Sequence, residues 1–278
     1  MTTIESPVYD AATARPGAGP AAAQTAWRAL RRVVGAVVHV LWPVAAVYLL
    51  WAAWVEGADL PPAVAPHPDD VLRYIADNPG SYFADAAATI WIVVCGLTLG
   101  AVAGVVLASA SWFSPLLRSA ISGPALITQC LPVVTMVPVI ARVFGYNQRT
   151  VVLIAALIAF FPVLVFVSAG MAATPPGSAD VFRVFGARRW QRFRYLAVPS
   201  AIPRLLVAMR ISVVAAVVGA MLAQWIMGTS GLGYRLAVAQ ASFRSSEAWG
   251  ASVVAIAVGV LLFGIASSLS RLAQRRFD

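Results

Sequence analysis

The sequence predicts an all-α integral membrane protein with about six transmembrane helices. Of its 278 residues, 60% are hydrophobic and 11% are charged, whereas soluble domains contain about 45–50% apolar and about 25% charged residues. So few polar residues could not cover a water-exposed surface, but lipid accepts apolar side chains on the outside of a helix. Six apolar stretches are each about as long as the roughly 20 residues that a helix needs to cross the hydrocarbon core. They lie near residues 33–55, 86–110, 116–141, 151–171, 205–227 and 249–269.

The composition divides the chain into three parts. Residues 1–26 are rich in Ala, Pro, Gly and Thr and lack the apolar core of a signal peptide, which predicts a flexible N-terminal tail. Residues 27–82 hold the first predicted helix and an extracytoplasmic linker, and residues 83–278 form the core transmembrane domain.

The arginines predict which side of the membrane each loop faces. With six spans, the side that holds both termini carries fourteen arginines and four acidic residues, and the opposite side carries five arginines and seven acidic residues. Cytoplasmic loops carry the excess of Lys and Arg in membrane proteins. We therefore expect both termini to be cytoplasmic in a bacterial plasma membrane, and this topology explains the basic charge without a nucleic-acid partner.

Several classes of site are not supported by the sequence. The chain contains no lysine, so it lacks a complete Walker A motif, and any ATP hydrolysis must come from another subunit. The two histidines, His39 and His67, are not joined by a carboxylate cluster or a nucleophile motif, and Cys95 and Cys130 both lie in apolar runs. We predict no catalytic residue, metal site or cofactor-binding site in this chain.

A long Arg-rich loop follows the fourth apolar stretch at residues 174–204. Pro175, Pro176 and Gly177 should end the span, and Ser178 can cap a short helix over residues 179–185. Gly186 then allows a turn, and a second short helix from about Arg188 should end at Pro199. On pattern alone, two small amphipathic helices could equally lie on lipid headgroups.

This loop resembles the EAA loop of binding-protein-dependent ABC importer permeases. The pattern of that family is Glu-Ala-Ala, three residues, Gly, nine to eleven residues, and Ile/Leu-x-Leu-Pro. Here Asp180 stands in place of Glu, Val181 and Phe182 replace the two alanines, and Gly186 and Pro199 fit. Three further segments match in order, and the resemblance is closest to importers of the nitrate, sulfonate, taurine and thiamine-precursor type. These segments are Leu131-Pro132 with Pro138 and Phe144-Gly145, then Phe161-Pro162, then Ser230-Gly231-Leu232-Gly233-Tyr234.

The resemblance implies the type I fold of ABC importer permeases and a set of partners. These are a cytoplasmic ABC ATPase dimer that binds ATP and Mg, an extracytoplasmic substrate-binding protein, and a second permease chain, which we expect to be another copy. The loop should couple the ATPase to the helices by presenting aromatic anchors, for which we select Phe182, Phe185, Trp190 and Phe193. The complete predicted coupling set is Asp180, Phe182, Arg183, Phe185, Gly186, Ala187, Arg188, Trp190, Phe193 and Pro199.

Two further groups of residues are candidates for the transport path. The glycine-rich segment that contains Gly231, Gly233 and Tyr234 should turn tightly near the outer mouth, as a re-entrant loop or as an ordinary extracellular turn. Polar or adaptable side chains in the third and fifth spans could line the path or only pack between helices. They are Gln129, Thr135, Met136, Met221 and Gln224. Gly96, Gly100 and Gly104 form a stripe that favours close helix packing.

The expected function is translocation of a small polar or anionic solute by alternating access, coupled to ATP hydrolysis in a separate subunit. Two alternatives remain open at this point. The chain could be a membrane receptor or scaffold whose basic loop recruits a cytoplasmic partner, or it could be a secondary carrier. Internal repeats are not evident in the sequence, which weakens the carrier alternative.

Overall fold

A computed structural model describes residues 42–59, 61–121, 133–228 and 230–274, and helices dominate these ranges. Four of the described helices are long and apolar enough to cross a membrane. They are α3 (Pro79–Phe113), α6 (Gln148–Ala172), the continuous helix Arg189–Met227 and α11 (Ser245–Gln274). The predicted all-α membrane fold is confirmed, and four of the six predicted spans fall within these helices. Parts of the other two, residues 33–41 and 122–132, lie outside the described residues.

Shorter helices connect or flank these spans. Helix α1 covers residues 42–57 and belongs to a separate compact unit that ends at Ala58. The second unit begins at Asp59, so it includes residues 59–82, which the sequence analysis had grouped with the first helix. Its remaining helices are α2 (Pro68–Asp77), α4 (residues 115–121), α5 (Val133–Phe144), α7 (Ser178–Val184), α8 (Arg189–Arg192), α9 (Val198–Met227) and α10 (Leu232–Ala241).

The core of the second unit forms where α3 lies directly against α6. Gly96, Gly100 and Gly104 are buried on one face of α3, and a Cβ atom on any of them would press against α6, at residues from Ala155 to Val163. The contacts advance together along both helices, so α3 and α6 run in the same direction. Without a side chain at these positions the two backbones approach closely, which is how helices gain packing energy in lipid. The predicted small-residue stripe is confirmed.

Helix α9 runs antiparallel to α6 and covers its other side. Gly170 of α6 lies against Ala201, while the Ser212 hydroxyl donates to the carbonyl oxygen of Ala159 at 3.2 Å. Helix α11 in turn runs antiparallel to α9. The Nε atom of Arg210, a charge inside the fifth span, donates to the Ser270 hydroxyl at 2.8 Å, so this guanidinium has a partner within the protein.

The fifth span begins earlier than predicted, because Pro199 does not end a helix. Helix α8 continues through a π-helical turn at Phe193–Ala197 into α9, where Pro199 occupies the first turn. In the π turn the N–H of Val198 donates to the carbonyl of Phe193, five residues earlier. This wider turn accommodates a proline, which lacks an N–H and otherwise presses on the preceding turn. Residues 189–227 therefore form one continuous helix, which we call the α8–α9 rod.

Adding one methyl group at Gly100 should separate α3 from α6. The new Cβ of Gly100→Ala would collide with the carbonyl oxygen of Ala156, and we expect a loss of about 1–3 kcal/mol, the usual cost of overpacking. Gly264→Ala is the matched control, because nothing lies within 4 Å of its Cβ and alanine favours a helix. Thermal unfolding of the purified protein in detergent checks this, and equal midpoints for the two variants would contradict the packing.

Candidate coupling loop and outer turn

Two glycines in the left-handed backbone conformation lie at the two ends of α7, which follows the fourth span. Gly177 (φ 77°) is the N-cap, so the cap is not Ser178 as predicted; the Ser178 hydroxyl instead donates to the carbonyl of Pro175. At the other end, Gly186 has φ 66°. The N–H of Gly186 donates to the carbonyl of Arg183, and the N–H of Ala187 donates to that of Phe182. This is a Schellman motif, which requires the left-handed conformation that glycine adopts most easily.

Helix α7 presents an apolar surface to solvent. None of its residues is buried; Phe185, which caps its C-terminus, is 84% exposed, and Val184 is similarly open. Asp180 and Arg183 form an exposed ion pair at 3.3 Å, which contributes little to stability. Phe182 is half-buried and lines a groove beside the helix. The other residues around this groove are Val181, Phe185, Gly186, Ala187, Arg188, Gln191 and Tyr195.

The second half of the loop is fastened to the end of α3 by four aromatic rings, which we call the aromatic clamp: Trp112, Phe113, Trp190 and Phe193. The Phe193 ring lies 4.7 Å from that of Phe113 and 5.3 Å from that of Trp112, between centroids. Trp190 stacks on Phe113 with an interplanar angle of 18°. Offset and tilted ring pairs at these separations add stability beyond the burial of apolar area.

Arg189 completes this attachment. Its guanidinium carbon lies 5.8 Å and 5.7 Å from the ring centroids of Trp112 and Phe113, within the range of a cation–π contact. One terminal nitrogen donates to the carbonyl oxygen of Trp112 at 3.4 Å. That carbonyl belongs to the last turn of α3, where carbonyls lack helical partners and a positive charge is favourable.

The clamp corrects the expectation that all four loop aromatics face a partner. Phe193 is only 8% exposed and packs within its own chain, so it anchors the loop instead of projecting from it. Trp190 remains largely exposed but stacks on Phe113. Phe182 and Phe185 lie on the presenting side. The sequence pattern showed an apolar face on the second helix, but it could not show that the end of α3 covers that face.

The Gly-rich turn at the opposite end of the spans is buried in protein. Gly231 has φ 103°, and a Cβ there would collide with Gln224 and Thr89. The Thr89 hydroxyl accepts the N–H of Leu232 at 3.0 Å, and the Oε1 atom of Gln224 accepts the N–H of Gly233 at 3.2 Å. The predicted tight turn leads directly into α10, and Tyr234 on that helix is partly exposed.

The predicted path residues occupy different surroundings. Gln224 is fully buried, and Thr89 and Gly233 bond its Oε1. Met221 borders an apolar groove between α9 and α11 that opens at the surface. On α5, Thr135 is exposed and Met136 is half-buried, whereas Gln129 lies outside the described residues. A path role for these side chains stays a prediction.

A charged cluster beside this turn was missed by the sequence analysis. Arg235 of α10 is flanked by Asp85 of α3, with Nε to Oδ2 at 2.6 Å, and by Glu247 of α11, at 3.0 Å. Glu247 also binds Arg244 at 2.5 Å and accepts a hydrogen bond from the Tyr74 hydroxyl of α2. The cluster thus joins four helices. Nothing in the sequence indicates it, because Asp85, Arg235 and Glu247 lie in separate segments and meet only when the helices pack.

The surroundings keep Arg235 charged. Burial by itself lowers the pKa of Arg235, but the hydrogen bond and charge of Asp85, together with the charge of Glu247, raise it above its ordinary value. The guanidinium also lies 4.6 Å from the ring centroid of Tyr82. Both carboxylates are largely shielded from water, and Arg235 compensates the charge of Asp85 and shares that of Glu247 with Arg244.

Comparison with known proteins identifies the family. Residues 96–278 match the family described as binding-protein-dependent transport system inner membrane component. The chain belongs to this family. It is the permease subunit of an ABC importer and a multi-pass membrane protein. Such permeases are non-catalytic subunits that work with an ATPase and a binding protein, so membership favours the importer over the receptor and secondary-carrier alternatives.

Relatives and solved structures agree with this assignment. The permease is 31% identical to the formylaminopyrimidine transport permease protein ThiX of Halalkalibacterium halodurans, over 67% of this chain and 76% of that protein. It is 24% identical to the putative aliphatic sulfonates transport permease protein SsuC of Bacillus subtilis, over 71% of this chain and 70% of that protein. A chain of the MetNI methionine ABC transporter shares the fold, with a TM-score of 0.59 and 17% identity, over 68% of this chain and 94% of that chain.

Removing Arg235 should destabilise the permease far more than removing its neighbour Arg244. Arg235→Met leaves the shielded Asp85 carboxylate without its cation and removes one of the two cations that bind Glu247, which costs about 3 kcal/mol. Arg244→Met is the control: Arg244 is about half exposed, and such ion pairs contribute about 1 kcal/mol or less. The free energy of unfolding, measured by detergent or denaturant titration, should separate the variants. Equal losses would contradict a central role for Arg235.

Proposed function

We propose that this permease translocates a small polar or anionic solute by alternating access, driven by ATPase subunits that dock on α7. The supporting observation is the placement of α7 at the end of the spans, with no buried residue and with Val184 and Phe185 open to solvent. ATP and Mg²⁺ would bind to the ATPase. The substrate class follows from the resemblance and is consistent with the formylaminopyrimidine and aliphatic sulfonates in the names of two relatives.

The proposed docking surface combines exposed apolar side chains with positively charged ones. Val184 and Phe185 would insert into a pocket of the ATPase, while the exposed Arg183 and Arg188 border the same surface. Exposed aliphatic and aromatic groups of this kind serve as anchors when a partner buries them. The adjacent arginines would guide an acidic partner surface into register. Lipid headgroups are the competing partner of these arginines.

Two permease chains would be needed to enclose the transport path. Thr135 is exposed, and Met221 borders a groove open at the surface of the subunit. A path lined by such residues closes only when another permease chain covers them. Closed two-fold symmetry is the commonest solution for a protein of this kind, so we propose a homodimer.

Both termini and the loop should face the cytoplasm, because the arginine excess lies on that side. We expect a cysteine at Ser178 to react with a membrane-impermeant reagent only after cell lysis, on a background free of Cys95 and Cys130. Ser81→Cys, at the start of α3 and therefore at the other end of the spans, is the control and should react in intact cells. Reaction of the Ser178→Cys variant in intact cells would overturn the orientation and the docking proposal with it.

Truncating Phe185 should weaken ATPase binding. A buried anchor contributes about 2 kcal/mol at an interface, so Phe185→Ala should lower affinity for the ATPase about thirtyfold. Phe243→Ala makes the same change at an equally exposed phenylalanine, 87% open, at the opposite end of the spans. Binding of purified ATPase to each variant in nanodiscs measures the effect, and the mass of the wild-type complex should show two permease chains. Equal affinities would contradict docking on α7.

A further inference from the structure

The coupling loop consists of a fastened half and a free half. Helix α8 is fastened because Trp190 and Phe193 belong to the aromatic clamp and Arg189 bonds the last turn of α3. It is also continuous with α9 through the π turn. Movement of α8 relative to either α3 or α9 would therefore require the rings to separate or the rod to bend.

Helix α7 lacks such attachments to the part of the chain that the structure describes. It has no buried residue, and it lies between Gly177 and Gly186, whose Cβ positions have no atom within 4 Å. Glycine at positive φ in open space can change conformation at little steric cost. The compliant points of the loop are thus Gly177 and Gly186, one at each end of α7.

Helices α3 and α9 are joined again at their far ends. The Thr89 hydroxyl of α3 donates to the Oε1 atom of Gln224 at 3.1 Å, and the same hydroxyl accepts the N–H of Leu232 after α9. Asp85 of α3 binds Arg235 just beyond this turn. A pair of helices fixed at both ends resists relative rotation, so a displacement applied at α8 reaches the Gly231 turn through both helices.

We propose that Trp112, Phe113 and Arg189 are positioning residues for transport: they hold α8 against α3, so that α3 and the α8–α9 rod move as one body when the ATPase displaces the loop. This proposal rests on the proposed function for the source of the displacement. The clamp itself is a property of this chain. In this role they act by fixing where the displacement is applied.

Distances between spin labels test this in the purified complex with its ATPase in nanodiscs, with and without trapped Mg-ATP. One label pair joins Val106 on α3 to Arg194 on the π turn, and a second joins Val106 to Val184 on α7. Labelled permease is mixed with an excess of unlabelled permease, so that one chain of each proposed homodimer carries labels. In the wild type we then expect the first distance to be single and unchanged by nucleotide, and the second to shift. In Trp112→Ala/Phe113→Ala, the first distance should broaden and become dependent on nucleotide.

Matched variants separate positioning from general stability. Trp112→Phe/Phe113→Tyr keeps the ring contacts and should restore the single distance. Trp91→Ala, at a 64% exposed tryptophan of the same helix, should behave as the wild type. The unfolding temperature and membrane abundance of each variant identify any that fail to fold. If the double variant does not fold, Arg189→Gln is the milder test, because it removes the cation–π contact and keeps the rings.

Two results would overturn the proposal. The first is a Val106–Arg194 distance that shifts with nucleotide in the wild type as much as the Val106–Val184 distance does. The second is a clamp double variant that keeps the narrow, nucleotide-independent distance. If the ATPase fails to bind the wild-type permease at all, the proposed function fails instead, and the nucleotide-free comparison of wild type with the double variant still decides whether the clamp holds α8.

Discussion

Close contact between α3 and α6 is the constraint on which the remaining packing depends. In lipid, helices gain nothing by hiding apolar side chains from water, so van der Waals contact between backbones must hold them together. The three glycines of α3 allow that contact, and α9 then covers the other side of α6, with α11 next to it. Because α9 runs antiparallel to α6, the loop lies at one end of these spans and the Gly-rich turn at the other.

Polar interactions are concentrated where the helices end. At one end, Arg235 joins Asp85 and Glu247, while Thr89 and Gln224 bond the backbone of the turn. At the other end, Arg189 and four aromatic rings attach the loop to α3. Buried polar groups that lack partners are costly, and these contacts fix the ends of helices whose middles are held mainly by packing, together with the hydrogen bond from Ser212 to Ala159.

The two halves of the loop have different physical characters. Helix α7 is short and exposed, which suits a surface whose apolar side chains are covered only in a complex. Helix α8 is joined to a 30-residue helix through the π turn, which suits an element that passes force into the membrane domain. Gly186 lies between them, and its left-handed conformation sets the angle at which one half leaves the other.

The sequence by itself determined the membrane class, most of the spans, the glycine stripe and the place of the loop after the fourth span, because apolar length, glycine spacing and helix-ending residues are local properties of the chain. Only the tertiary structure decided which apolar faces are covered. The amphipathic pattern around Phe193 is the same whether a partner protein or the end of α3 covers it. Asp85, Arg235 and Glu247 lie up to 162 residues apart in the chain, so their pairing depended on the packing of α3, α10 and α11. Proline normally ends a helix, so the sequence predicted an end at Pro199. The π turn that accommodates this proline was visible only in the structure.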